Sequence, residues 1–302
     1  MMCFDHASWE LPKKIMKEVV ALLPYLKNIE WLGGEVFLYR QFEELFGLAS
    51  VFPHLNQQIT TNGLLLNEDR VRKILGCRTE MRISVDGITR RTYEHIRRGA
   101  SFDDLLEKLE LVRKVRRENA NGPSRVCLNF VVMRSNYKEA AGIMDFARKF
   151  GFDHVSFLQL YNNDPEIYEK ESIENDSEAI EFLLKLMPEI EKKSKECGIT
   201  YIHFPVYRPA KAVRYKRYSA DERGIPGRKC RIPWDSIEIA GEQVRPFCQC
   251  RKMVGTIPYA SLAACWNSEG MQEYRRRNGS SAKDLCPAQC MTKSLKDRCL
   301  FD

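Results

Sequence analysis

The sequence has no run of about 18 or more apolar residues, the length a helix needs to cross a bilayer. Its opening, Met1, Met2, Cys3, Phe4, Asp5 and His6, lacks the basic and apolar stretches of a secretory leader. No strand-like run is followed by G-x-G-x-x-G, which excludes a dinucleotide fingerprint. Low-complexity tracts are missing, as are internal repeats larger than one strand-helix unit. Nor is there a basic tail: Arg97-Arg98, Arg113-Lys114, Arg116-Arg117 and Arg275-Arg276-Arg277 are spread over helix-like segments, as solvated faces are. These absences predict a soluble, cytoplasmic protein with no membrane or nucleic-acid partner.

What is present fits a globular protein. The 302 residues carry 48 Lys and Arg against 41 Asp and Glu, with 44% hydrophobic residues, enough to bury a large core and to exclude disorder. Eleven cysteines in a reducing compartment point to metal rather than disulfides. Cys3, Cys77, Cys127 and Cys197 are scattered, whereas Cys230, Cys248, Cys250, Cys265, Cys286, Cys290 and Cys299 crowd the last quarter. The chain therefore reads as regions of different chemistry.

From Leu11 to Leu160 short apolar runs alternate with amphipathic stretches. Residues 28–32, 57–61, 81–85, 125–133 and 154–160 read as strands bounded by turn residues. Pro12 suits a first helical position, with Ile15, Val19, Leu22 and Leu23 as the apolar stripe behind it. Ser101 with Asp104, and Asn136 with Glu139, are capping-box patterns; Asn121-Gly122-Pro123 and Gly151 end the helices that follow. The alternation implies a parallel sheet, either doubly wound or a barrel or part-barrel, with function at the C-terminal strand ends. Beyond residue 160 come an acidic loop, a helix over 177–197 kinked at Pro188, a strand near 201–206 and a basic aromatic stretch. The expected domains are 1–160, a connector at 161–227, and a Cys-rich domain at 228–302.

Three successive strands finish in small polar groups at one end of the sheet. Trp31-Leu32-Gly33-Gly34-Glu35 offers glycines that let a ligand reach the backbone, then a carboxylate able to hold an ammonium group. Alone, it reads equally as a tight turn. The next two strands end in Thr60-Thr61-Asn62-Gly63 and Ser84-Val85-Asp86-Gly87, and Gln159 reaches the same mouth by position.

In order and spacing, Gly33-Gly34-Glu35, Ile59-Thr60-Thr61-Asn62-Gly63, Ile83-Ser84-Val85-Asp86-Gly87 and Arg97-Arg98-Gly99-Ala100-Ser101-Phe102 resemble the radical S-adenosylmethionine (SAM) enzymes with a C-terminal SPASM or twitch-type extension. The resemblance covers nearly the whole chain. It implies an α/β fold, a partial (β/α)6 TIM-type barrel with a [4Fe-4S] cluster at its mouth. SAM chelates that cluster, and a reductant such as flavodoxin or ferredoxin drives its cleavage to a 5′-deoxyadenosyl radical. The radical abstracts hydrogen from a peptide or small-molecule substrate. Carried over by residue, Gly34 and Glu35, beside Gly33, meet the methionine amino group, and Ser84 lies near the nucleoside or methionine moiety. Arg97 meets the SAM carboxylate, which a planar guanidinium fork suits. Arg98 is its neighbour, and a pair of surface helix charges is the alternative for both.

The family's cluster loop is C-x3-C-x2-C, and Cys3 matches only its last ligand. Three thiolates hold such a cluster, so the resemblance implies a chain truncated before its first strand and cluster loop, and inactive as given. At the other end, Cys230-Arg231-Ile232-Pro233-Trp234, Pro246-Phe247-Cys248-Gln249-Cys250, Trp266-Asn267-Ser268 and Cys286-Pro287-Ala288-Gln289-Cys290 look like a shortened SPASM module. Cys230, one of Cys248 or Cys250, Cys286 and Cys290 would be the thiolates of one auxiliary iron-sulfur cluster. A loop-rich segment needs such a staple; structural zinc is the alternative, since C-x3-C suits it too. Cys265 reads as a buried thiol. Sulfatase-maturing relatives carry an Asp base after the hairpin cysteine, where Gln249 or Arg251 stands here. The expected function is radical SAM chemistry on a peptide or small molecule. Its alternatives are a non-catalytic binding module on a degenerate scaffold and a zinc-stapled α/β protein.

Overall fold

Apolar runs between turn residues become strands, and amphipathic stretches become helices packed on one side of them. The computed structural model describes residues 11, 13–119, 122–160, 164–203, 232–241, 243–246, 254–256 and 261–276. Cys3, Cys230, Cys248, Cys250, Cys286, Cys290 and Cys299 lie outside these residues, and so does the basic aromatic stretch of the connector. The chain divides into two units, Met1–His6 with Leu23–Ala212, and Ala7–Leu22 with Val213–Asp302. The first helix, α1 (Lys13–Leu22), falls in the second unit.

The first unit runs β1 (Asn28–Trp31), α2 (Phe42–Ser50), β2 (Asn56–Thr61), α3 (Glu68–Leu75), β3 (Thr79–Ser84), α4 (Arg90–Ile96), α5 (Phe102–Glu118), β4 (Arg125–Val132), α6 (Ile143–Phe150), β5 (His154–Gln159), α7 (Pro165–Glu171), α8 (Ser177–Cys197) and β6 (Thr200–His203). All neighbouring strands are parallel, and their spatial order is the sequence order. A doubly wound sheet reverses its order at a switch point. This one does not, and crossovers of one hand then put every helix on the same face. The architecture is α/β, a six-stranded partial barrel. Its last strand, β6, lies in the segment expected as a connector and pairs with β5.

The helix-covered face is apolar, with Ile59, Met81, Ile83, Leu128, Phe130, Val155 and Phe157 all buried. Local signals set the helix ends. Ser101 Oγ accepts from Asp104 N at 3.2 Å to start α5, as its capping pattern requires. Asp176 caps α8, which runs unbroken through Pro188 and stops where Gly198 turns left-handed at φ +67°. Asn136 departs from its pattern. It heads a 3-10 turn, Tyr137–Gly142, and makes no side-chain cap bond there.

In the second unit β7 (Glu238–Ala240), β8 (Gln243–Arg245) and β9 (Gly255–Thr256) form an antiparallel sheet beside α9 (Ile232–Asp235), α10 (Leu262–Trp266) and α11 (Glu269–Arg276). Ile15 of α1 packs with Val244, Val254, Leu262, Cys265, Met271 and Tyr274, and Glu18 Oε2 accepts from Leu262 N at 2.6 Å. The apolar stripe of α1 is therefore buried by residues more than two hundred positions away. Cys265 is buried in this core, and burial raises its thiol pKa.

Candidate active site

The turn after β1 opens on Gly33, whose φ of +156° is one that residues with side chains rarely adopt. No atom lies within 4 Å of where a Cβ would stand, so the backbone is open to a ligand there. Glu35 follows and is fixed by three donors: Thr61 Oγ1 at 2.8 Å and Phe37 N at 3.4 Å to Oε1, and Asn62 N at 2.8 Å to Oε2. A carboxylate offers about four acceptor positions. Glu35 thus ties the end of β1 to the end of β2 and keeps capacity on Oε2 for one further donor, such as an ammonium group. Gly34 beside it is exposed.

Ser84 closes β3 opposite Asn129 of β4. Past it the chain turns through Asp86, which is fully buried, and α4 brings Arg97 back so that Nη2 donates to Asp86 Oδ2 at 2.6 Å. The Arg97 side chain is only 13% exposed, and its Nε meets no hydrogen-bond partner among the described residues. Arg98 is exposed. The structure therefore separates two arginines that the sequence left equivalent, turning Arg97 inward to the strand ends.

Parallel register also builds a second surface, on the sheet face opposite the helices. Side chains alternate along each strand, so Glu30, Gln58, Glu80 and Arg125 form one row, and Thr60, Arg82, Cys127, His154 and Thr200 the next. Ser84, Asn129 and Ser156 follow nearer the strand ends, then Val131 and Leu158. Charge is compensated in the deep rows: Arg82 pairs with Glu80 at 2.6 Å, and Arg125 approaches Glu80 at 3.9 Å. Burial, then the nearby Arg125, lowers the pKa of His154, whose Nδ1 lies 2.8 Å from Thr200 Oγ1. Burial pushes the Cys127 thiol up to about 12. The upper rows are neutral. Sequence reasoning passed over this face apart from Ser84, although the polar alternation in Asn56–Thr61 and Thr79–Ser84 was the available signal.

Residues 4–147 match the model of the radical SAM superfamily. This stretch, just under half of the chain, is similar to the radical SAM superfamily. Its match covers the turns carrying Glu35, Ser84 and Arg97. A curated GTP 3′,8-cyclase of a Synechocystis species is 27% identical over 150 residues, 49% of this chain and 42% of that protein. The chain thus matches less than half the length of that curated relative. Streptococcus suis SuiB bound to S-adenosylmethionine superposes with a TM-score of 0.65 at 15% identity, covering 91% of this chain and 64% of SuiB. Native anSMEcpe with bound AdoMet and the Kp18Cys peptide gives 0.62 at 14% identity, covering 91% of this chain and 78% of that one. At these identities the structural likeness shows the fold alone.

The superfamily implies SAM and a [4Fe-4S] cluster. The residues at these strand ends fit SAM: an open glycine backbone, a carboxylate with spare capacity, a hydroxyl, and a guanidinium with an orphaned buried Nε. For iron, no group of three His, Cys, Asp or Glu that could hold a metal occurs among the described residues. Cys3 and the paired cysteines of the tail are outside them.

Proposed function

We propose that this protein is a radical SAM enzyme of the SPASM type that modifies a peptide. In this reading Gly34 and Glu35, beside Gly33, hold the SAM ammonium group, Arg97 holds its carboxylate, and Ser84 bonds the nucleoside or methionine moiety. When bound, cluster and SAM supply a 5′-deoxyadenosyl radical that takes a hydrogen atom from the substrate. Cys3 is a ligand of the radical SAM cluster, and Cys230, Cys248 or Cys250, Cys286 and Cys290 hold an auxiliary iron-sulfur cluster. No residue is assigned as acid or base.

The observation that carries this reading is the tie between strand ends, with Glu35 fixed across β1 and β2 and Arg97 turned inward beside β3. The neutral upper rows support a peptide over a nucleoside triphosphate. Ser84, Asn129 and Ser156 offer hydroxyl and amide groups that match backbone amides, flanked by Val131 and Leu158 for apolar side chains. A triphosphate calls for several cations, and these rows carry none among the described residues. SuiB and anSMEcpe, which share the fold over most of this chain, have been solved with a precursor peptide and with the Kp18Cys peptide, respectively.

Anaerobic reconstitution of the full chain with iron and sulfide tests the proposal. We expect a brown protein with broad absorbance at roughly 400 nm from thiolate-bound iron, diminished by Cys286→Ala with Cys290→Ala. With all three cysteines of the cluster loop present, 5′-deoxyadenosine should accumulate under a low-potential reductant when peptide is supplied. A colourless protein holding one zinc and forming no 5′-deoxyadenosine would contradict it.

A further inference from the structure

Asp86 divides its two carboxylate oxygens. Oδ2 accepts from Arg97 Nη2 at 2.6 Å, and Oδ1 accepts from Val131 N at 3.1 Å. The turn that carries it is held from several sides. Asn136 Nδ2 donates to Asp86 O at 2.9 Å and to Val131 O at 2.8 Å, while Asn136 Oδ1 accepts from Met133 N at 2.7 Å. Glu139 accepts from Ile88 N at 2.6 Å and Thr89 Oγ1 at 2.5 Å. At Gly87 an added Cβ would stand 2.6 Å from Tyr93 N, so the turn lies directly against α4. Together these contacts explain why Asn136 and Glu139 do not cap a helix: both are spent on the β3–α4 turn.

A fully buried acceptor fixed this way cannot follow a moving partner, so the guanidinium takes its place from Asp86. Net stability is a weak explanation for the pair, because desolvating both ions offsets much of their attraction. Docking one Nη on a rigid oxygen does, however, fix where the fork of this mostly buried side chain lies. We propose that Asp86 is the positioning residue of the SAM pocket, holding the Arg97 guanidinium so that its remaining donors meet the SAM carboxylate. This rests on the reading of Arg97 as the carboxylate anchor.

The test is SAM calorimetry on the full chain and on Arg97→Gln, Asp86→Asn, the double variant and Asp86→Glu, with a thermal melt of each. Arg97→Gln should weaken SAM about tenfold or more, the loss of a charge-assisted bond. Asp86→Asn should cost severalfold when Arg97 is present and nothing further when it is Gln. Asp86→Glu keeps the ion pair but moves the acceptor by one methylene, so affinity should fall while the melt stays near that of the parent. An Asp86→Asn loss of equal size in both backgrounds, or parent affinity in both Asp86 single variants, would overturn the proposal while leaving Arg97 as anchor. Parent affinity in Arg97→Gln would instead remove the anchor reading itself. If Asp86→Asn does not fold, Asp86→Glu decides: weakened SAM supports positioning, and parent affinity overturns it.

Discussion

Arg97 and Arg98 are adjacent and carry the same charge, yet only one is turned inward. The choice is made by where α4 stops. Thr89 caps its start, Ile96 is its last residue, and Gly99 leaves at φ +82°, which places Arg97 at the C-cap with its side chain against Asp86. A charge pair in a sequence does not disclose the helix end that separates its members. His154 shows the same dependence on surroundings. Its imidazole is partly buried on the polar sheet face, and burial holds its pKa below the ordinary 6.5. The unfolded chain therefore takes up a proton before the folded one does. Stability from this group is complete above 6.5 and is lost as pH falls toward the lowered value. We expect the melting temperature to drop as pH falls below 6.5, and His154→Gln to shrink that drop. An unchanged pH dependence in the variant would show that His154 does not titrate with folding.

At the scale of elements, two identical-looking signals behave differently. Ser101 with Asp104 starts α5 as its spacing indicates, through an exposed cap bond of 3.2 Å. Asn136 with Glu139 has the same pattern but serves the turn between β3 and α4. Local sequence resolves a cap only when no tertiary partner competes for the same side chains. Urea unfolding distinguishes the two roles: Ser101→Ala should cost about 1 kcal/mol. Asn136→Ala should cost more, on the order of several kcal/mol, because buried Asp86 O and Met133 N and half-buried Val131 O each lose a partner. Equal costs would return Asn136 to the rank of a simple cap. The strands were legible because each is short and bounded by turn residues. The place of α1 was not, since its stripe faces a core contributed by residues beyond 236, and periodicity reveals an apolar face without naming its partner.

For the whole molecule, one topological fact carries most of the weight. Sequential parallel order leaves one sheet face free of crossover helices and gathers the strand-end turns at a single mouth. The glycines, Glu35, Ser84 and Arg97 were readable as motifs, because close backbone approach and charge recognition restrict residue type tightly. The polar rows beneath them were not, as they are joined only by register between strands far apart in sequence. The central claim is that SAM binds at this mouth, and calorimetric titration of the reconstituted full chain with SAM tests it most directly. Glu35→Ala and Arg97→Ala should each weaken binding about tenfold or more, while Arg98→Ala stays close to the parent. Parent affinity in both Glu35→Ala and Arg97→Ala would contradict the account.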